Sequence, residues 1–474
     1  VIDPAGLTLR QAADAIAQGR LHAEELVEAC LDRIQRLQPV LNCFIRVTTD
    51  AARANARASD QLLKAGRKRG PLHGVPLAHK DMFYRAGEIC TCGSKIRAEF
   101  VPDHTATVLN KLDQAGAVEL GRLNMAEFAM GPTGHNDHYG RCRNPWNPEH
   151  ITGGSSSGSG AAVAAGLVFG ALGSDTGGSV RLPAAACGVV GIKPTIGRVS
   201  RYGAMPLSHS FDCIGVLARS IGDCARLLSL IAGADPDDGT ASSKRVPDYE
   251  RLVDEAAVRG SLRGVTIGLP DRYYFDGIDH EVADLVNASR TVLEKCGAKI
   301  VDVPVGDHGA INDLSNAVLW PEAAALHLPW LRDRPQDYAP QTRARVLVGL
   351  GVPASLYVQA LQARSTLLDE LLRETFSQCD VIHVPVLKHP VPTAAETDVG
   401  GSANMQQVLG QIVANTRPFN FFGLPGLSVP IGFTANGLPQ AMQLVARPLA
   451  EDVLFRVGAA YEAAVGGFAE RPRL

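Results

Sequence analysis

Ten cysteines are scattered through 474 residues with no Cys-x-x-Cys pair among them. Zinc-finger and thioredoxin-type readings therefore fail on spacing. In a chain this long, isolated thiols are expected as reduced, buried small hydrophobes, which makes the cytoplasm the expected compartment. Excess charge is missing too: 46 Lys and Arg stand against 49 Asp and Glu, a net of −3. No electrostatic footprint for nucleic acid or an anionic membrane is left by that balance. Long apolar runs are also absent. The longest, Ala161 to Leu172, is broken by Gly166 and is too short to span a bilayer. The first residues, Val1-Ile2-Asp3-Pro4, show no charged segment with an apolar stretch behind it, so no secretory signal is expected. Neither an internal repeat nor a long linker is evident.

The chain does have the apolar content of a globular protein, 46%, with its 48 Gly and 29 Pro spread rather than gathered at a hinge. Although the length alone suggests about three domains, that spread favours a single domain over residues 1–474. Helical periodicity runs from Thr8 to Pro39, and Thr49 and Asp50 open a further helix, giving N-terminal helices over about 8–68. Strands are expected at Leu72–Ala78, Ala117–Leu120, Val265–Leu269, Lys299–Val303, Val381–Val386 and Leu427–Val429, with helices at Thr105–Ala115 and His280–Cys296 between them. This alternation argues for an α/β fold on a large mixed, mostly parallel sheet flanked by helices. A mainly helical segment, about 310–377, carries Trp320, Trp330 and Tyr357 and suits a cap over a site.

Three clusters carry chemistry. The first, Gly153-Gly154-Ser155-Ser156-Ser157-Gly158-Ser159-Gly160, runs straight into an Ala-rich helix, unlike a flexible linker. It lacks the Lys of a phosphate loop, yet Gly154 to Gly158 matches the Gly-x-Ser-x-Gly nucleophile elbow, a pattern that Gly/Ser-rich loops meet by chance. In the second, Asp175-Thr176-Gly177-Gly178-Ser179, two glycines before a serine let backbone N–H groups converge on one oxygen, as an oxyanion hole requires. The third places Lys80 at the end of an apolar strand, where burial disfavours its charged form and makes it a candidate base.

Together these stretches resemble the amidase signature family. The resemblance takes in Gly74-Val75-Pro76-Leu77-Ala78-His79-Lys80-Asp81, Thr91-Cys92-Gly93-Ser94, Gly121-Arg122-Leu123-Asn124-Met125-Ala126-Glu127-Phe128, both Gly/Ser clusters, Gly191-Ile192-Lys193-Pro194-Thr195 and Gly423-Leu424-Pro425-Gly426. It implies an amide-cleaving Ser–cis-Ser–Lys triad: Ser179 as nucleophile, Ser155 as the bridging serine after a cis peptide to Gly154, and Lys80 as base. Backbone N–H groups of Thr176, Gly177, Gly178 and Ser179 are then expected at the oxyanion, and Met130 and Gly131 at the substrate. Neither a metal nor a cofactor is implied. His79 departs from the family's usual apolar residue, either tuning Lys80 or facing solvent. Asp175 and Arg181 are expected to hold the Gly177-Gly178 loop by hydrogen bonds.

One branch of this family is the glutaminase subunit of the tRNA-dependent amidotransferase. It places an acidic residue five positions before a proline that here is Pro418, and this chain has Val413 there. On that difference a free-standing amidase is expected, acting on a small amide, anilide or carbamate. No nucleic-acid or membrane partner is expected, and a homodimer is the assembly considered; the glutaminase subunit is the alternative. Trp320, Trp330, Phe419, Phe421 and Phe422 suggest an apolar substrate, whereas Arg417 suggests one bearing a carboxylate.

Overall fold

A computed structural model describes Asp3 and residues 6–474; Val1, Ile2 and Pro4, on which the expected lack of a secretory signal rests, lie outside the described residues. Eleven strands are present: β1 (Phe44–Val47), β2 (Pro76–Lys80), β3 (Val118–Leu123), β4 (Gly170–Asp175), β5 (Val190–Lys193), β6 (Cys213–Ala218), β7 (Thr266–Pro270), β8 (Lys299–Val303), β9 (Val381–Pro385), β10 (Gly426–Phe433) and β11 (Pro439–Ala446). They form one sheet in the order β1-β3-β2-β4-β6-β5-β10-β11-β9-β7-β8. The mixed α/β architecture is as expected, but the balance within the sheet is not. Four neighbouring pairs are parallel and six are antiparallel. Part of the reason is a hairpin the alternation does not reveal: β10 and β11 are joined through Asn436-Gly437, with Gly437 at φ 75°, the dipeptide that suits a tight antiparallel turn.

The N-terminal periodicity resolves into two helices, Leu9–Ala17 and Ala23–Leu41, before a third at Thr49–Lys64. Thr8 and Gln11 form a reciprocal capping box at the first, satisfying donors the helix cannot pair itself. Gly19, at φ 67°, marks the break. The expected strand at Leu72 begins only at Pro76, because Leu72 to Gly74 turn against the Ala115–Gly116 backbone.

The helix Ser157–Ala164 is buried at every residue, and its small side chains have a steric cause. A methyl group on Gly158 would lie 2.4 Å from the Cys43 carbonyl oxygen and 2.6 Å from the Asn124 nitrogen, so the helix packs backbone against backbone. The segment expected to be helical at about 310–377 comprises the helices His308–Asp333, Pro340–Leu350 and Ala354–Glu374. Among the described residues no single helix is long and apolar enough to cross a membrane, and all ten cysteines are free and buried.

Candidate active site

Lys80 ends β2, which runs parallel to β4 with His79 beside Leu172. That register brings Lys80 to the end of β4. Its Nζ lies 2.6 Å from Ser155 Oγ and 2.8 Å from Ser174 Oγ, and both Lys80 and Ser155 are fully buried. Burial lowers the Lys80 pKa to about 7, against the partial opposition of Asp212 and Asp175. A large fraction of Lys80 is therefore neutral near physiological pH and able to accept a proton. Ser174 has no recognisable signal in the sequence; only the β2–β4 register identifies it.

The peptide bond between Gly154 and Ser155 is cis, and the Ser155 carbonyl accepts the Ala126 N–H at 3.1 Å. Ser156, the central serine of the elbow pattern, is buried with its hydroxyl bound to the carbonyl and N–H of Ser174, each at 3.3 Å. Ser157 and Ser159 donate to the carbonyls of Asn124 and Leu172. These three are packing serines.

Ser179 is partly exposed at the end of the turn that leaves β4. Among the described residues its hydroxyl makes no hydrogen bond, and its carbonyl accepts the Ser156 N–H at 3.3 Å. The turn is built around Asp175. One oxygen of that carboxylate accepts the Gly178 N–H at 2.8 Å and the other the Val180 N–H at 3.1 Å. Arg181 binds both oxygens, and Asn420 Nδ2 adds a further bond at 2.9 Å. Burial alone would raise the Asp175 pKa; the Arg181 guanidinium and these donors instead hold it well below the carboxylate range. The loop-holding role expected of Asp175 and Arg181 is thus present, with Asn420 as a member sequence reading missed.

This network leaves one of the four expected oxyanion donors already bonded. A backbone amide has one hydrogen, and that of Gly178 is committed to Asp175. Among the described residues the N–H groups of Thr176, Gly177 and Ser179 have no such acceptor. Gly178 still has to be glycine: its φ is 131°, and a Cβ would sit 2.3 Å from Thr416 Oγ1. The Thr176 hydroxyl donates to Asp212 at 2.6 Å, and Asp212 also accepts the Leu207 and Ser208 N–H groups.

Met130 and Gly131 follow a short 3-10 turn, Glu127–Ala129, in which Phe128 and Ala129 have positive φ. Gly131 abuts Gly154, its carbonyl oxygen 2.5 Å from where a Gly154 Cβ would be. Glu127 ties this turn to the helical segment, accepting Ser94 Oγ at 2.6 Å, His138 Nε2 at 2.9 Å and the Ala339 N–H at 3.0 Å. Trp330 stacks on Phe128, with ring centroids 5.5 Å apart.

Two other expectations are corrected. His79 does not face solvent: it is buried, its Nδ1 accepts the Leu172 N–H at 3.3 Å, and burial lowers its pKa to about 4. Phe419, Phe421 and Phe422 belong to the main hydrophobic core rather than to an aromatic pocket wall, with Phe419 stacked on Tyr274.

The fold, the lysine beside two serines and the glycine turn agree with what comparison with known proteins shows. The amidase family pattern matches residues 25–455, and the chain belongs to that family. A glutamyl-tRNA(Gln) amidotransferase subunit from Chloroflexus aurantiacus is 39% identical, over 99% of this chain and 98% of its own length. The solved structure of the same-named subunit from Thermotoga maritima superposes with a TM-score of 0.81 at 31% identity, covering 98% of this chain and 95% of that one. A chain from a vestigial protein complex that reveals the origins of an s-triazine catabolic enzyme gives a TM-score of 0.90 at 32% identity, covering 99% and 100%.

These relatives overturn the expectation of a free-standing amidase. Val413 is one position, buried in a hydrophobic cluster, and a difference there does not outweigh full-length similarity to proteins named as subunits. The expected partner set, a small amide with no nucleic acid, fails with it, because the name of those relatives carries both further subunits and a tRNA.

Proposed function

We propose that this chain is the amide-hydrolysing subunit of an amidotransferase, releasing ammonia from glutamine for partner subunits that act on a tRNA-borne substrate. The whole chain is read as one functional unit, working in the cytoplasm, with the helical segment as a cap. The observation that carries this reading is the 2.6 Å contact between a buried, readily deprotonated Lys80 and Ser155. Full-length similarity to amidotransferase subunits supports the rest.

In this reading neutral Lys80 takes a proton from Ser155 as Ser155 takes one from Ser179, and Ser179 Oγ attacks the amide carbon. Such hydrogen bonds commonly tighten only when substrate is bound, and the unbonded Ser179 hydroxyl is free to turn toward Ser155. The N–H groups of Thr176, Gly177 and Ser179 receive the developing oxyanion, and each such donor is worth about 10²–10³ in rate. The proton returns through Ser155 to the nitrogen as the C–N bond breaks and ammonia leaves. Water then enters by the same relay and releases the acid from the Ser179 ester. Met130 and Gly131 border the acyl group.

The test is ammonia release from glutamine by the protein, purified with any co-purifying chains, in parallel with Ser179→Ala. Release by the parent that falls on the order of 10⁴-fold or more in the variant is expected. Undiminished release in the variant, or preferential cleavage of anilides, contradicts the proposal.

A further inference from the structure

One buried carboxylate ties the helical cap to the turn that borders the acyl group. Glu127 is 2% exposed. Its Oε1 accepts the Ser94 hydroxyl and His138 Nε2, and its Oε2 accepts the Ala339 N–H. Ala339 is the N-cap residue of the helix Pro340–Leu350, and the first turn of that helix places Gln341 Nε2 3.3 Å from where a Gly131 Cβ would be. A negative charge there also faces the positive pole of the helix dipole. Glu127 therefore holds the start of a cap helix against the Met130–Gly131 turn, while Tyr338 and Trp330 pack on Phe128 beside it, with centroids 6.0 and 5.5 Å away. Other polar contacts of this part of the cap lie further out. Lys95 Nζ meets Asp337 at 3.2 Å, and Arg334 Nη1 donates to the Ile96 carbonyl at 3.2 Å. Lys95 is 63% exposed, and a surface pair of that kind contributes little.

A buried carboxylate is costly unless a charged donor compensates it. His138 is that donor. Its hydrogen bond to Glu127 raises its pKa above the ordinary histidine value, against the effect of burial; the Glu127 and Asp137 charges add to the rise and Lys95 opposes it. On the cap side, burial and the Glu127 charge push the Tyr338 phenol well above its usual range, so that it stays neutral. The charge-assisted bond is thus intact below the His138 pKa and weakens to a neutral one as pH rises through it. The near end of the turn is anchored separately, by the Ala126 N–H on the Ser155 carbonyl at 3.1 Å, and stays on the triad when Glu127 lets go.

We propose that Glu127 is a positioning residue for the amide donor: paired with His138, it fastens the cap helix Pro340–Leu350 to the Met130–Gly131 turn, and this fastening sets substrate affinity. The proposal rests on the amide-hydrolysing reading of Ser179 and adds a control of affinity to it. Lys80 and the fastening then respond to pH in opposite senses, kcat rising as Lys80 loses its proton and affinity falling as His138 loses its own.

The experiment measures kcat and KM for glutamine from about pH 6 to about pH 9, the range that spans histidine titration. In the parent, KM is expected to rise about tenfold across the range, in keeping with the loss of a charge-assisted bond. His138→Gln should hold KM near the parent's high-pH value at every pH. Glu127→Gln should raise KM about tenfold at the acid end and flatten its profile, with kcat changed far less. A parent KM that does not vary with pH, a parent-like KM profile in His138→Gln, or an effect of Glu127→Gln on kcat alone overturns the proposal. Should Glu127→Gln fail to fold, His138→Gln, at a partly exposed position, decides by itself. Hydrogen exchange reads the fastening without turnover: at one pH, peptides spanning Ala339 to Leu350 should exchange about threefold or more faster in Glu127→Gln than in the parent, and equal exchange overturns the fastening. Faster exchange with KM unmoved assigns the contact a structural role and overturns the positioning. No ammonia from glutamine, with the exchange difference present, removes the proposed function and leaves the fastening standing.

Discussion

Two buried basic sites flank the turn from Ser174 to Ser179, and the fold treats them in opposite ways. Lys80 is wrapped by two serine hydroxyls, and burial brings its pKa to about 7. Arg345 and Arg417 are equally enclosed, yet at about 9 and 10 they keep their protons, and one hydrogen bond between them is all the described residues supply. An ammonium sheds its charge when burial makes that charge costly; a guanidinium holds it and requires an anion. The first environment suits a base; the second keeps two standing positive charges near the turn.

Lys80→Arg breaks this comparison most severely, because it puts a permanent cation where a neutral amine is proposed. It should lose about 10²–10⁴ in kcat, as much as Lys80→Met; retained activity would show that Lys80 need not be neutral. In the parent, kcat should rise with pH through about 7, since a lysine of depressed pKa is charged and inactive below it and neutral above. Buffer titration of kcat checks the sign, and a profile that falls across this range runs against it.

Asp175→Asn sharpens the contrast from the other side, by leaving Arg181 buried without a charged partner. Breaking the pair should cost about 3–5 kcal/mol, read as an earlier midpoint in urea unfolding. An unchanged midpoint would mean that the neutral hydrogen bonds suffice. His79→Leu should act least. It removes the bond to the Leu172 N–H, worth about 1 kcal/mol, and should leave the pH profile in place; a displaced profile would show that His79 tunes Lys80 after all.

Lys80, Ser155 and Ser179 stand out in the sequence because each lies in an unusual local cluster that takes part in the family resemblance. Strands such as β8 and helices such as His280–Lys295 are legible from apolar rhythm alone. Ser174 is not, since its contact with Lys80 depends on which residues of two parallel strands fall side by side. Asp212 and Asn420 reach the turn from distant segments and carry no local pattern. Likewise, Arg345 looks like an ordinary helix-surface residue until the helix is set against Gly131. Gly178 reads as a free donor in the sequence because a glycine pair says nothing about which of its N–H groups a nearby carboxylate will take. Val413, a single position, weighs too heavily there as evidence of a free-standing enzyme.

Everything proposed for the site turns on which serine is the nucleophile. Incubation with a fluorophosphonate followed by peptide mass spectrometry locates the reactive hydroxyl directly. The expected result is a phosphonate adduct on Ser179, absent in Ser179→Ala and much slower to form in Lys80→Met. An adduct on Ser156, the serine of the elbow pattern, or one on Ser179 that forms equally fast without Lys80, would contradict it.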